Sequence, residues 1–558
     1  MKRELEIAVS QAVQELYGLD VAIELTRPEE QFGDYSTNIA LQLSKQLGKN
    51  PRDLANELAG KLEVTLTDSI DVVSIAGPGF VNLRLNDRSL IASMDTKPQQ
   101  SLSGQTIVAE YSDPNPFKVL HAGHLYTSVV GDAIANVLQN AGATVHRVNF
   151  GGDVGLHVGK SMWAILNELD GENPEKLELI SEDQRSEWMA KAYVKGAEAY
   201  ENDENAKIAI VDLNKRVYLL HSNDDHDSPL AKIYWTCRQW SYDYFDAFYA
   251  RIGSKFEKYY PESQTAPIGL DTVKKHIGDV YEESNGAIIF DGEKYDLHTR
   301  VFINSEGLPT YEAKDVGLIM KKWQDYHFDQ SIIITGNDIV EYMKVVLKSI
   351  EQFQPELAAR SRHLTHGIVK LQGGTKMSSR KGNFLRAADV LDAAAEAAKN
   401  LSANNSEETV LGAVKYAFLK NRIGGDIIYD PKESVSMDGN SGPYLQYAHA
   451  RARSILSKAG VTADSGQLNA GSLVDGERSL VRKITEYSEV VDKAVTELMP
   501  HHITTYLYEL AQVFNRFYEH NRVIGDERQS QRLELVNKYA ETLKTGLGVL
   551  EIPTPDRM

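Results

Sequence analysis

The sequence predicts a multi-domain α/β plus α protein built on a parallel-sheet nucleotide fold. Three observations predict it. Gln105–Tyr111 (QTIVAEY) is a short β-rich run. A Pro-rich loop, DPNP, follows, then a helical pattern from near His121 to about Ala141, and Thr144–Phe150 is a second strand candidate. Strand, loop, helix, strand is the order of a parallel, Rossmann-like sheet. Apolar strand candidates return far downstream, at Val301–Asn304 and Ser331–Thr335, so the sheet is split by an insertion. From about 395 to 558 the pattern is nearly all helical, with Ala-rich and Leu-rich amphipathic runs and no β-rich segment.

Each element has its own signal. A helical pattern runs through Leu5–Leu16, a second through Ile39–Leu47, and Asn50-Pro51 starts a third that continues to about Leu62. Alternation at Val72, Ile75, Phe80, Asn82 and Leu83 puts strands around Gly77-Pro78-Gly79. Thr96–Gly104 is a polar linker. The expected division is an N-terminal domain over 1–100, the first half of the sheet domain over 101–161, an acidic helix-rich insertion over 162–290, the second half over 291–394, and a helical domain over 395–558.

Composition bounds the function. The 558 residues are 42% hydrophobic and 25% charged, as in ordinary globular chains, and the length fits about three to five domains. The net charge of -19 argues weakly against nucleic-acid binding. That average hides local structure: Leu357–Ala388 holds seven Lys or Arg and no acid, and Gly439–Ala463 is acid-free with Arg451, Arg453 and Lys458. Such stretches can make phosphate-facing surfaces on an acidic protein. The single Cys237 excludes an intramolecular disulfide and a multi-cysteine zinc site. The start MKRELEIAVS lacks the apolar core of a signal peptide, and no run approaches the length of a membrane span. A cytoplasmic protein with no membrane partner is expected.

Two motifs carry chemistry. The first is HAGH, His121–His124, at a predicted helix start. The unpaired N–H groups of a helix N-terminus suit a triphosphate, Gly123 lets a ligand approach the backbone, and two His at i and i+3 can donate to charge developing on an α-phosphate. Taken alone, HAGH also fits a helix cap bearing two histidines. The second is KMSSRKG, Lys376–Gly382. Lys376, Arg380 and Lys381 supply cations, Ser378 and Ser379 hydroxyls, and Gly373, Gly374 and Gly382 flank them as hinges. A basic loop of this kind can close over a pyrophosphate leaving group; alone it also fits a solvated basic loop.

Together, HAGH after the first strand and a KMS loop some 250 residues later resemble the paired signatures of class I aminoacyl-tRNA synthetases. Gly336-Asn337-Asp338 after SIIIT resembles the class's GxD element, which meets the ATP ribose. The flanks resemble the arginyl-tRNA synthetase family: EYSDPNPFKVLHAGH with Glu110, Pro114, Asn115 and Lys118, then VNFGGDVGLHVGK, LPTYEAKD, NSGPYLQYAHARARSIL, and LKTGLGVLEIPTPDRM at the end. FGDYSTNIALQLSKQLGKNPRDLA and IAGPGFVNLRL are similar to that family's additional N-terminal domain, which touches the tRNA elbow. The resemblance spans both ends and the core, and is thinnest over about 165–290.

The resemblance implies that ATP activates L-arginine to an adenylate, which is then transferred to the 3′ end of a tRNA. It implies catalytic roles for His121, His124, Lys118, Lys376 and Arg380. It implies ATP contacts from Gly123, Gly336, Asp338, Met377 and Ser378, with Mg²⁺ carried by ATP rather than by a protein site, and an anticodon-binding helical bundle in an expected monomer. The arginine site also has a reading from the residues. A planar cation needs carboxylates and a hydroxyl or aromatic partner. Tyr311 and Asp315 are i, i+4 on one helix face, Glu110 ends the first strand, and Asn115 can hold the α-amino group. A surface Tyr–Asp pair with a strand-end acid is the alternative. Three positions depart from the family: Ile339 where Gln or His is usual at the substrate's amino end, Val154 where Trp is frequent, and an acid at Asp113 where a small residue is common. Two other functions stay open here. One is another class I synthetase such as the cysteinyl enzyme, against which the lone Cys237 and Tyr311/Asp315 argue. The other is a non-catalytic tRNA- or protein-binding module, against which intact His121, His124 and Lys376 argue.

Overall fold

The structure, a computed structural model, describes residues 1–372, 385–401, 406–460 and 472–558. Its N-terminal unit packs helices Lys2–Tyr17, Ile39–Leu47 and Pro51–Thr65 on three antiparallel strands, β1 (Tyr35–Thr37), β2 (Ile70–Ala76) and β3 (Phe80–Leu85), in the order β1-β3-β2. Asn50 caps the third helix by accepting from Arg52 N at 2.8 Å, with Pro51 at the first helical position where its missing N–H costs nothing.

The central sheet has five parallel strands. Its first three in the chain are β4 (Thr106–Glu110), β5 (Thr144–Gly151) and β6 (Lys258–Pro261). A small antiparallel sheet follows, β7 (Glu282–Ser284), β8 (Ala287–Phe290) and β9 (Arg300–Ile303). The parallel sheet then resumes with β10 (Gln330–Gly336) and β11 (Ser361–His366), in the order β11-β10-β4-β5-β6. The chain runs outward one way from β4 to β5 and β6, and the other way through β10 and β11. The boundary between β4 and β10 is therefore a topological switch point, where such sheets bind ligands beyond their carboxyl ends. Register fixes this edge: Glu110 pairs with Ile333 of β10 and Val148 of β5.

Helix Ala122–Asn140 crosses from β4 to β5, buried on nearly every turn. Gly131 allows its close approach, because a methyl group there would lie 2.2 Å from the Tyr111 ring. The stretch 162–290, expected as an insertion, divides differently. Helices Leu156–Glu168, Arg185–Asn202, Glu204–Ser222 and Pro229–Ile252 form a helical crossover, and β6 then returns to the parallel sheet. The sequence signal for β6 is weak because KYYP is only four residues and ends in Pro. The C-terminal region is helical as expected, with one correction: β13 (Ile427–Tyr429) pairs in parallel with β12 (Val369–Leu371), three residues too short to register as β-rich.

The N-terminal unit docks on the C-terminal helices through buried charge. Arg478, on helix Asp475–Thr485, donates to Asp34 at 2.7 Å and to Asp87 at 2.6 Å. Arg27 and Tyr35 both donate to Glu489. No described helix is long and apolar enough to cross a membrane.

Candidate active site

The HAGH turn is built locally. His121 is the N-cap of helix Ala122–Asn140. Its Nδ1 accepts from Gly123 N at 3.1 Å, and His124 Nδ1 accepts from His121 N at 3.1 Å. The two imidazoles stack with centroids 3.7 Å apart. This reciprocal cap satisfies two of the helix's unpaired donors. It also fixes the tautomer: both Nδ1 atoms accept, so in the neutral rings both Nε2 atoms carry the proton and act as donors. Burial, with Lys118 nearby, lowers the His121 pKa to about 4; burial and the charge of His121 hold that of His124 well below its ordinary value. Both rings are neutral at physiological pH. Gly123 has a reason beyond ligand access, because a methyl group there would lie 2.8 Å from its own His121 ring.

Asn115, Lys118, Val119, His121 and His124 line a cavity of about 100 Å³ together with Ala190 and Tyr193 from helix Arg185–Asn202. Lys118 Nζ lies 4.5 Å from the Tyr193 ring centroid. The crossover helices thus contribute a wall that the sequence reading did not foresee. Two further residues reach the turn. Gly336, the last residue of β10, pairs with His366 of β11, and Asp338 follows in a short turn; its charge acts on both His121 and His366. His366 Nε2 in turn meets Thr127 Oγ1 at 2.6 Å, one turn beyond HAGH. Beyond the KMSSR segment, Leu385 O accepts from Ala122 N at 2.8 Å and Ala387 N donates to Leu120 O at 2.9 Å, so the chain re-enters beside HAGH. The expected phosphate residues Lys376, Met377, Ser378 and Arg380 lie outside the described residues.

A second group of polar residues is assembled from distant segments. Helix Tyr311–Tyr326 starts with Tyr311, which is 53% exposed, and carries Asp315 one turn on, only 9% exposed. The phenol of Tyr342, on helix Val340–Glu351, donates to Asp315. Burial pushes the Asp315 carboxyl up to about 8; the Tyr342 bond opposes this, and the charges of Glu110 and Glu262 add to it. Two acids near it are already paired. Lys322, fully buried, forms an ion pair with Glu110 and also donates to Ser331 Oγ at 3.1 Å. Lys314 pairs with Glu262 at 2.5 Å, both nearly buried. Among the described residues Asp315 makes no ion pair.

Of the four residues read from sequence as an arginine site, Asp315 thus has no counter-ion among the described residues and Glu110 is committed to Lys322. Tyr311 stands at the helix start, 5.0 Å from Lys314 Nζ. Asn115 Oδ1 accepts from Gly152 N at 2.8 Å. The sequence reading missed Lys322, Tyr342 and the Lys314–Glu262 pair. Lys322 had a signal, since positions 311, 315 and 322 fall on one helical stripe. Tyr342 and Glu262 come from separate elements and had none.

Three family models match the chain: an arginyl tRNA synthetase N-terminal domain over 3–85, a tRNA synthetases class I (R) catalytic domain over 88–432, and a DALR anticodon binding domain over 445–558. An arginine–tRNA ligase of Treponema denticola is 30% identical over 95% of this chain and 93% of its own. One of Phocaeicola vulgatus is 28% identical over the whole of both chains. Among solved structures, the Thermus thermophilus arginyl-tRNA synthetase covers both chains fully with a TM-score of 0.81 at 25% identity.

Proposed function

The chain belongs to the class I (R) tRNA synthetase family, and from that premise we infer that it ligates arginine to tRNA in two ATP-driven steps. The observation that carries the amino-acid assignment is Asp315: a buried carboxyl group, held by one phenol and making no ion pair among the described residues. Such a group is stable beside a cation, and a guanidinium offers a planar two-point match that an ammonium cannot.

In the first step the arginine carboxylate attacks the ATP α-phosphate in line, releasing pyrophosphate. His121 and His124 present Nε2–H donors to the charge that develops on the phosphate; the reciprocal cap fixes them before ATP arrives, and burial keeps them neutral. Lys118 adds a cation beside them. Gly336 and Asp338 meet the ribose, and Lys376, Met377, Ser378 and Arg380 cover the leaving phosphates. Mg²⁺ bound with ATP would supply charge neutralisation at the phosphates. In the second step a terminal ribose hydroxyl of tRNA attacks the activated carbonyl. The helical C-terminal region binds the anticodon arm and residues 1–100 bind the tRNA elbow. The protein works as a cytoplasmic monomer.

The test is ATP–pyrophosphate exchange with each of the standard amino acids, with and without total tRNA. Exchange with arginine alone among them, strongly dependent on added tRNA, is the expected result. Exchange with a different amino acid, or none under any condition, contradicts it.

A further inference from the structure

Helix Ala122–Asn140, which begins with the HAGH turn, is also where the C-terminal region rests on the parallel sheet domain. Helices Ala387–Leu401, Glu407–Leu419, Tyr487–Glu497 and Gln529–Val549 all pack on it. One of these contacts is made two residues past His124, by Tyr126, which is wholly buried.

The Tyr126 ring meets two others edge-on. His366, the last residue of β11, lies 4.6 Å away between centroids, and Phe418, on helix Glu407–Leu419, lies 5.3 Å away. Phe418 in turn meets Tyr429 of β13 edge-on at 5.7 Å, and β13 pairs with β12. β12 follows His366 closely in the chain, and the KMSSR residues follow β12 in the sequence. The contacts therefore close a circuit from the HAGH helix through the end of β11, β12, β13 and the C-terminal helix. Tyr126 is the residue that touches both the sheet end and the C-terminal helix.

These ring contacts explain a phenylalanine at this position, not a tyrosine. The Tyr126 hydroxyl is buried and makes no hydrogen bond among the described residues. Burial pushes its pKa up to about 12, so it keeps its proton and stays a donor. Its neighbour His366 has no nitrogen left for it: Nδ1 donates to Gly367 O at 2.8 Å, and Nε2 lies 2.6 Å from Thr127 Oγ1. A buried hydroxyl without a partner destabilises the arrangement that contains it, and phenylalanine would avoid that. At a join between two regions, such a group is accounted for by a second arrangement of the join that supplies the partner. A ligand held by the C-terminal helices shifts the protein toward whichever arrangement it binds better.

We propose that Tyr126 is a positioning residue that couples tRNA binding to adenylate formation. Its hydroxyl gains a hydrogen-bond partner when bound tRNA shifts the C-terminal helices against helix Ala122–Asn140, and that bond holds the HAGH turn in its working position. This rests on the reading of the chain as an arginine-activating enzyme that depends on tRNA. Tyr126 touches no substrate and acts through the turn and His366.

The test is Tyr126→Phe, which keeps both ring contacts and removes only the hydroxyl, so a packing role survives it. Two quantities are measured: the thermal unfolding midpoint of the substrate-free protein, and arginine-dependent ATP–pyrophosphate exchange over a titration of total tRNA. The midpoint should be equal or higher, because the substrate-free protein loses no hydrogen bond. By linkage the missing bond is felt in both kcat and the half-saturating tRNA concentration, so their ratio is read. That ratio should fall about fivefold or more, as for one buried hydrogen bond, with the KM for arginine at saturating tRNA within about twofold. Phe418→Leu should lower the ratio too, and the double variant should lose less than the product of the two losses. A lowered midpoint for Tyr126→Phe would show that the hydroxyl has its partner without tRNA. An unchanged ratio would show that it gains none with tRNA, and losses that simply multiply would remove the link through Phe418. Each of these overturns the assignment, as does exchange in the unmutated protein that is as fast without tRNA as with it. No arginine-dependent exchange at all in the unmutated protein counts against the function instead.

Discussion

The HAGH turn closes on itself within four residues, whereas the pocket around Asp315 draws on β4, the loop after it, and helices that begin at Glu262, Tyr311 and Val340. The turn's hydrogen bonds run between neighbours, so its geometry is set once the helix forms. The pocket's geometry is set by which lysine meets which acid. This difference predicts how each breaks: the turn should fail in rate with little effect on folding, and the pocket should fail in stability and substrate affinity together.

The largest expected effect tests the pocket. Lys322→Met leaves Glu110 buried and unpaired, and breaking a buried pair in this way costs roughly 3–5 kcal/mol. Thermal or urea unfolding should register that loss, and restoring neutrality with Glu110→Gln in the same chain should recover much of it. If Lys322→Met alone unfolds at the unmutated midpoint, the pair is not what positions the strand end.

His124→Ala comes next, and tests the turn. It removes one Nε2–H donor, worth on the order of 10²–10³ in kcat, while the unfolding midpoint shifts little. His121→Ala should match it in rate and cost about 1 kcal/mol more in stability, because His121 is also the helix cap. Equal unfolding midpoints for the two variants would contradict this and show that the His121 half of the cap adds no more stability than the His124 half.

A pH series sharpens the comparison further. The Asp315 carboxyl is raised to about 8 in the folded protein by burial, from an unfolded value near ~4. A raised carboxyl contributes stability below its unfolded value, and that contribution is lost as pH rises through the folded one. The Asp315 contribution to the stability of the arginine-free protein, read as the difference from Asp315→Asn, should therefore be lost between about pH 4 and about pH 8. The KM for arginine should fall over the upper part of that range as the carboxylate ionises, and arginine should raise Tm more at pH 8.5 than at pH 6. The Asp113 carboxyl, also pushed up by burial with Glu110 adding to it, acts in the same direction. His121, lowered to about 4 by burial, acts in the opposite direction: only the unfolded chain holds its proton between about pH 4 and about pH 6.5, so its contribution to stability rises with pH there. A KM that is flat from pH 6 to 9 would mean that Asp315 is ionised before arginine binds.

The smallest effect belongs to Tyr342→Phe. It removes the phenol that holds Asp315 and should raise the KM for arginine about threefold to tenfold, as for one hydrogen bond to a charged group. An unchanged KM would make Tyr342 a packing residue only.

What was legible in the sequence follows the same division. HAGH, the strand before it and GND after SIIIT were readable because each is a contiguous signal in a definite strand or helix context. The i, i+4 spacing of Tyr311 and Asp315 placed them on one face. The role of Glu110 was not readable: its partner Lys322 lies 212 positions away, and a strand-end acid looks the same in sequence whether it faces substrate or lysine. The wall from Ala190 and Tyr193 was hidden because a helical crossover carries no motif of its own. β6 was hidden by its length. The acid at Asp113 was visible in the sequence, but its bond to Phe150 N was not.

The central claim is that Asp315 is the counter-charge of the guanidinium. It is tested most directly by measuring kcat/KM for arginine and for citrulline with Asp315→Asn, with ATP at saturation and tRNA present. The prediction is a fall of about two to four decades for arginine, the scale of removing one partner of a buried charge pair. The gap to citrulline should narrow and the KM for ATP should be little changed. An unchanged kcat/KM for arginine in Asp315→Asn would contradict the account and show that the guanidinium binds elsewhere.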